Sequence, residues 1–371
     1  MKKVIILHPS QLSYRWIKYL CIDGLIEKKV EMEYWDCSAI DSLPLYSMDN
    51  IERAYLREIR SLNDLKKKMS EQDRNKCIYV DMLHRTLADY KIQRIILKYG
   101  KFRVNINFCS TELLVIGLLG HQKYKVKDII PWIIKKLLYT VLYKTSPSSY
   151  TINSGKAFPA SFKINHPDYE SYMELQNSDN RLLKNQYIVF IDSCYPYHPE
   201  HIEENPDLQI GIDQVFSEYS DSLNRFFQKI EKEYGWEVVI AGHPVSKLVS
   251  SQIGNRRIIY NNLGNLIKYS EGVMLHNSNA ISMAVLFDKP ILFLTSDRLQ
   301  QSIRFNIKIS NWASFFGLDV INIDHLTPTH SIKFARAETR NRFSFIEDYL
   351  IRSKGIYKSN LESFFEIYQE I

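Results

Sequence analysis

With 371 residues, 45% of them hydrophobic and 24% charged, the chain has material for two packed cores and no low-complexity tract, which excludes an extended or disordered protein. Its net charge of +6 is spread along the sequence, 48 Lys and Arg against 42 Asp and Glu, so no nucleic-acid stripe is expected; an anionic nucleotide, an anionic glycan or a membrane surface suits so mild a bias. Five cysteines (Cys21, Cys37, Cys77, Cys109, Cys194) show no CxxC or other metal spacing, which argues against a zinc framework and predicts a reduced, cytoplasmic protein.

From the N-terminus, Val4 to Leu7 is too short an apolar run for a signal peptide and predicts a first strand, closed by His8-Pro9-Ser10. Tyr14, Ile17, Leu20, Cys21 and Leu25 follow at helical spacing. The alternation then repeats: a strand from Val30 to Trp35, a charged amphipathic helix from Ile51 to Met69, a strand from Cys77 to Val80, a helix from Leu83 to Tyr99 and a strand from Phe102 to Ile106. Such alternation predicts a parallel sheet with the loops after Leu7, Trp35, Val80 and Ile106 on one edge. No run of about eighteen apolar residues occurs, so no membrane-spanning helix is expected.

Residues 125–144 are apolar at helical spacing, with Trp132 near one end and Lys125, Lys127, Lys135, Lys136 and Lys144 interspersed. Two readings fit: a helix lying on the inner face of the cytoplasmic membrane, or a core helix whose lysines reach outward. The polar stretch from Ser146 to Asn185 holds two short strand signals, Tyr150 to Asn153 and Ser161 to Ile164. A domain boundary near 183/184 is expected, with a second alternating half over 184–335 that opens on the strand Tyr187 to Ile191 and has a helix from about Val215 to Tyr234. Residues 336–371 read as helices that cross back to the first half.

The densest signal lies between Trp236 and Ser296. Val238 to Ala241 ends in Gly242-His243-Pro244, Val273 to Leu275 in His276-Asn277-Ser278-Asn279, and Ile291 to Leu294 in Thr295-Ser296. Apolar runs that break into small polar residues are the pattern of parallel strands whose carboxyl ends open on a ligand crevice. Ala280 to Phe287 predicts the helix after the second run, so Ser278, Ser282 and free backbone N–H groups would meet an anion at its start, and His243 would add a donor.

These residues resemble bacterial GT-B glycosyltransferases of surface-polysaccharide synthesis, in particular sialyltransferase-like enzymes that use CMP-activated nonulosonic or ulosonic acids. The resemblance rests on His243-Pro244, on Val273 to Ile281 with Asp288-Lys289-Pro290-Ile291, and on the segment Val189 to Glu200, and it covers roughly residues 185–300. It implies an α/β GT-B architecture of two Rossmann-like domains facing across a cleft. It also implies a metal-independent transferase carrying a sugar from a CMP-linked donor to a glycan or lipid-linked glycan of capsule, O-antigen or lipopolysaccharide. On that reading His243, Pro244, His276, Asn277, Ser278, Asn279, Ser282, Thr295 and Ser296 bind the donor, with no cofactor beyond the nucleotide sugar. The acidic-acidic-glycine motif that supplies the base in several sialyltransferases is absent from the sequence.

Transfer of a sugar needs a base for the acceptor hydroxyl and neutralisation of the leaving phosphate. Candidate bases are the strand-end groups Asp81, Asp36, His8 and His84 in the first half, and Asp192, His198 and Glu200 in the second. Asp192 and Asp81 are the catalytic candidates; His8, Ser10, Asp36 and His84 form the acceptor side. Arg15, Lys247 and Arg298 are possible partners for a donor carboxylate or phosphate. A UDP- or GDP-sugar transferase, a UDP-sugar epimerase and a non-catalytic scaffold are the competing readings. No Glu follows the Asn277-Ser278-Asn279 loop, which favours a monophosphate donor over the first of these.

Overall fold

The computed structural model describes residues 2–41, 51–83, 89–108, 149–198, 201–202, 210–244, 246, 248–327 and 331–371. They form two compact units, one of 2–108, 149–165 and 352–371 and the other of 166–351, each round its own parallel sheet.

In the first unit the strands are β1 (Lys3–His8), β2 (Met32–Asp36), β3 (Leu56–Glu58), β4 (Cys77–Asp81), β5 (Phe102–Asn107), β6 (Ser149–Ser154) and β7 (Phe162–Ile164), in the order β3-β2-β1-β4-β5-β6-β7. Every pairing is parallel. β1 and β4 are nearly continuous apolar runs because helices cover both faces of such a sheet. The chain winds outward from β1 to β3 and restarts at β4 on the other side. That reversal sets a switch point between β1 and β4, with Leu7 opposite Asp81.

The helix expected from Ile51 to Met69 is instead β3 followed by the helix Leu62–Ser70. Ser61 breaks the run: its hydroxyl accepts the Asp64 N–H at 3.1 Å and so starts the helix late. Leu56–Glu58 pairs with β2 as an edge strand whose Arg57 and Glu58 face solvent, and such a charged edge is easily read as a helix surface.

The second unit contains β8 (Tyr187–Ile191), β9 (Glu237–Ala241), β10 (Ile258–Ile259), β11 (Gly272–Leu275), β12 (Ile291–Thr295) and β13 (Val320–Asn322), in the order β10-β9-β8-β11-β12-β13, again all parallel. Its switch point lies between β8 and β11. The helix Ile212–Tyr234 runs between Gly211 and Gly235, both at positive φ, and presents Val215, Tyr219, Leu223, Phe226, Phe227 and Ile230 to the sheet. Phe226 and Phe227 are fully buried; Phe226→Ala would cost about 3–5 kcal/mol through lost transfer energy and the cavity left behind.

The units divide at 165/166, not at 183/184. The helix Pro167–Gln176 packs on the second-unit helices Leu263–Tyr269 and Ile281–Leu286. The tail is also divided: the helix Thr339–Phe345 belongs to the second unit, and Asn360–Glu370 packs in the first against the helix Ile22–Glu27 and β7. Among the described residues no helix is long and apolar enough to cross a membrane. His84, Lys247, Glu200 and the 125–144 segment lie outside the described residues.

Candidate functional site

β8 stands between β9 and β11, so the three motif strands of the sequence are not consecutive neighbours and the β8 loop enters the site between them. Asp192 opens that loop. One of its carboxylate oxygens accepts the Cys194 N–H at 2.8 Å, the other the His243 N–H at 3.3 Å, and the Ser246 side chain bonds it as well. The loops after β8 and β9 are therefore tied at one buried carboxylate. Burial pushes the Asp192 pKa above the ordinary carboxylate range, and the hydrogen bonds from Cys194, Ser246 and His243 pull the other way. Asp192 was expected to be catalytic. Both of its oxygens accept from the loops, and through the His243 N–H it holds the His243 main chain.

His243 is half-buried at this edge and Pro244 is exposed. The His198 ring meets the His243 ring edge-on at 5.1 Å, and His201 follows at 5.9 Å from His198. Cys194 turns the loop with a left-handed φ of 55°, bringing the His198 N–H onto its carbonyl at 2.8 Å. Three buried hydroxyl oxygens at the same strand ends have no hydrogen-bond partner: Ser193 Oγ and Tyr195 Oη after β8, and Thr295 Oγ1 at the end of β12. The Tyr195 ring packs at 5.0 Å on Tyr219, and burial pushes its hydroxyl pKa up to about 12.

Several expected donor-site residues turn inward. His276 is fully buried: its Nδ1 lies 2.6 Å from the Leu294 carbonyl oxygen and its Nε2 2.6 Å from the Tyr219 hydroxyl. A carbonyl only accepts, so Nδ1 carries the proton and Tyr219 donates to Nε2, which leaves neither nitrogen for a ligand. Ser282 is also fully buried and bonds the Asp168 carboxylate of the Pro167–Gln176 helix. Ser296 Oγ accepts the Leu299 N–H at 3.2 Å, where a short turn of 3-10 helix begins. Ser278 Oγ accepts the Ala280 N–H at 3.3 Å, which makes it a turn residue, while Asn277, Ser278 and Asn279 remain half-buried at the strand end. At the start of the helix Ile281–Leu286 the N–H groups of Ile281, Ser282 and Met283 donate to the Ser278, Asn279 and Ala280 carbonyls at 3.2, 3.3 and 3.1 Å, so these donors are engaged within the turn where free N–H groups were expected.

The first unit brings His8, Ser10 and Asp81 to its switch point, since they follow or end the neighbouring β1 and β4. His8 is buried, and its Nδ1 accepts from the Ser10 N–H at 3.1 Å with the Ser10 hydroxyl at 2.8 Å. Asp81 was expected as a base. It is buried and its Oδ1 accepts the Leu83 N–H at 3.2 Å and the Gln93 side-chain N–H at 3.4 Å, which makes it a turn anchor. Asp36 likewise caps a turn through the Ser38 N–H at 2.9 Å, at the end of β2 and away from the switch point. Arg298 pairs with Glu218 at 3.4 Å. Tyr219 escaped the sequence reading; its signal was a hydroxyl on the apolar face of an otherwise regular amphipathic helix. No group of three or more His, Cys, Asp or Glu among the described residues is arranged to hold a metal ion.

No family model matches the sequence, and no curated protein matches it. Among solved structures, the chain is similar to Acinetobacter baumannii MurG, at 9% identity and TM-score 0.47, with all of both chains covered. It is similar to the UDP-GlcNAc 2-epimerase of Methanocaldococcus jannaschii at 11% identity and TM-score 0.47, over 100% of this chain and 99% of that one. It is also similar to the spinosyn forosaminyltransferase SpnP at 14% identity and TM-score 0.43, over 94% and 90%. Likeness at this distance is one of chain path; the choice of ligand rests on the side chains.

Proposed function

We propose that the chain is a nucleotide-sugar-dependent glycosyltransferase whose second unit holds the nucleotide over the carboxyl ends of β8, β9 and β11. The observation that carries this reading is the conjunction, at one sheet edge, of three buried hydroxyls without partners and of His243, whose main chain is fixed by Asp192. A buried hydroxyl left unpaired costs about 1–3 kcal/mol, and a set of them along one carboxyl edge, at the ends of β8 and β12, is offset if a small shift of these side chains lets a ligand rich in acceptor oxygens pair with them. Phosphate oxygens meet that requirement. Hydroxyl and imidazole donors would also stabilise the charge that develops on the departing phosphate, with no protein acid required. The acceptor is a surface glycan or a lipid-linked glycan, and transfer proceeds without a metal; undiminished turnover in EDTA is the corresponding test.

The base of the nucleotide follows from fewer residues. With His276 and Ser282 committed to the core, a CMP-linked donor keeps His243, Pro244 and Ser278 of its motif, and a UDP-linked donor suits the same edge. Thermal-shift measurements with CMP, UDP and GDP separate the cases. A ligand at a hundred times its Kd stabilises the native state by about 2.7 kcal/mol, which is a readable rise in Tm. A rise with CMP alone assigns a cytidylate donor. A rise with UDP alone assigns a uridylate transferase or a 2-epimerase, which consumption of the UDP-sugar without an acceptor then distinguishes. No rise with any of the three contradicts the proposal.

A further inference from the structure

β12 ends in Thr295, and the chain leaves the sheet at Ser296, whose Oγ holds the Leu299 N–H at 3.2 Å. Asp297 and Arg298 are exposed in this turn, at the carboxyl edge of the second sheet. Asp297 is committed to the neighbouring strand end: its Oδ1 accepts the Asn322 side-chain N–H at 2.8 Å and lies 2.7 Å from His325 Nε2. Arg298 turns instead to the helix Ile212–Tyr234, where one of its nitrogens stands 3.4 Å from Glu218 Oε2. Among the described residues that carboxylate is the one hydrogen-bonding partner of the Arg298 side chain.

This pair is weakly held. Both side chains are 47% exposed, so water and salt screen the attraction, and the 3.4 Å contact is long for a charge-assisted hydrogen bond. Glu218 also has a second tie, since its Oε1 accepts the Gln214 side-chain N–H at 3.0 Å. Arg298 can therefore exchange Glu218 for a stronger anion at little cost.

Its position supplies the reason to do so. Glu218 is followed by Tyr219, whose ring packs at 5.0 Å on Tyr195. Burial raises the Tyr195 hydroxyl pKa to about 12 and the Arg298 charge works against it, so the guanidinium lies within electrostatic reach of that oxygen. Tyr195 Oη is one of the buried hydroxyl oxygens without a partner, and Thr295, which carries another, lies three residues before Arg298.

We infer that Arg298 is an oxyanion-binding residue of the second unit and that Glu218 is its resident counter-ion, displaced when a phosphate binds. The planar fork of a guanidinium matches two phosphate oxygens at once, and a phosphate carries more charge than the carboxylate it replaces. That the phosphate belongs to a nucleotide sugar rests on the transferase reading, in which Arg298 supplies a fixed cation for the charge on the leaving group, as buried hydroxyls cannot.

Calorimetric titrations of CMP, UDP, GDP and pyrophosphate into the wild-type chain, Arg298→Gln, Glu218→Gln and the two substitutions combined test it; both positions are exposed, and Tm checks that folding is retained. Arg298→Gln is expected to weaken every phosphate ligand that the wild-type chain binds by about tenfold. Glu218→Gln is expected to tighten the same ligands about threefold, and to change nothing once Arg298 has been replaced. Unchanged affinity in Arg298→Gln overturns the inference. So does an equal tightening by Glu218→Gln with and without Arg298, which would make Glu218 a source of general repulsion. Pyrophosphate bound through Arg298 with no nucleotide bound keeps the oxyanion site and removes the nucleotide reading; a nucleotide bound equally by the wild-type chain and Arg298→Gln does the reverse. No binding of any of the four removes both.

Discussion

The Tyr219 hydroxyl donates to Nε2 of His276 across 2.6 Å, while Nδ1 of the same ring holds the Leu294 carbonyl, so one imidazole joins the helix Ile212–Tyr234 to β11 and β12 in the core of the second unit. Burial lowers the His276 pKa to about 4 from an ordinary 6.5. The folded value lies below the unfolded one, so the native chain binds fewer protons between those pH values. The stability in question is complete above pH 6.5 and falls as the pH drops towards 4. Chemical denaturation at pH 7 and pH 4.5 should differ by roughly 2–3 kcal/mol from this residue, and His276→Leu should lack that difference although it is less stable overall. An unchanged pH slope in His276→Leu would contradict the buried neutral imidazole.

Tyr219→Phe isolates the other half of the pair. It leaves Nε2 buried without a donor and should cost about 1–3 kcal/mol, measured by denaturant unfolding at pH 7. A cost near zero would mean that the ring finds another donor.

Asp192 joins two loops, and its replacement tests whether that joint matters for binding. Asp192→Asn keeps one acceptor and turns an amide NH2 towards either the Cys194 or the His243 N–H, so the two loops should part. Nucleotide affinity should fall by about tenfold or more with the protein still folded. The sign of the pH effect is also fixed. With a folded pKa above the unfolded value, the ionised carboxylate costs stability, so stability declines as pH rises through the folded value, and Asp192→Asn should remove that decline. Equal nucleotide affinity in the variant would leave Asp192 a purely structural residue.

Much of this was legible in the residues and some was not. The strands of both sheets stood out because fully covered parallel strands are continuous apolar runs, and two late strands of the first unit, β6 and β7, were visible even in a polar stretch. β10, two residues long, was too short to register, and β3 was hidden by its charges. At the site, position along the chain located the strand ends but not the direction of each side chain. His276 and Ser282 look like ligand groups in sequence because a polar residue after an apolar run usually faces solvent. Here partners from distant segments, Tyr219 and Asp168, draw them inward. Only pairing across 57 and 114 residues reveals that, and periodicity carries no such information.

Gly242 links β9 to His243, and a Cβ there would fall 2.4 Å from the Tyr260 ring, whose hydroxyl bonds the Leu248 carbonyl at 3.2 Å. Gly242→Ala should displace that ring, cost about 1–3 kcal/mol by overpacking and move the His243 loop. A variant with wild-type stability and wild-type nucleotide affinity would show that the strand end tolerates the added methyl.

The central claim is that a nucleotide binds beside His243 at the carboxyl edge of the second sheet. Calorimetric titration of the nucleotide that gives the thermal shift, into the wild-type chain and into His243→Ala, tests it most directly. One site per chain, weakened about tenfold or more by the substitution with folding retained, is the predicted result. The same affinity in both proteins, or no binding heat in the wild-type chain, would contradict it.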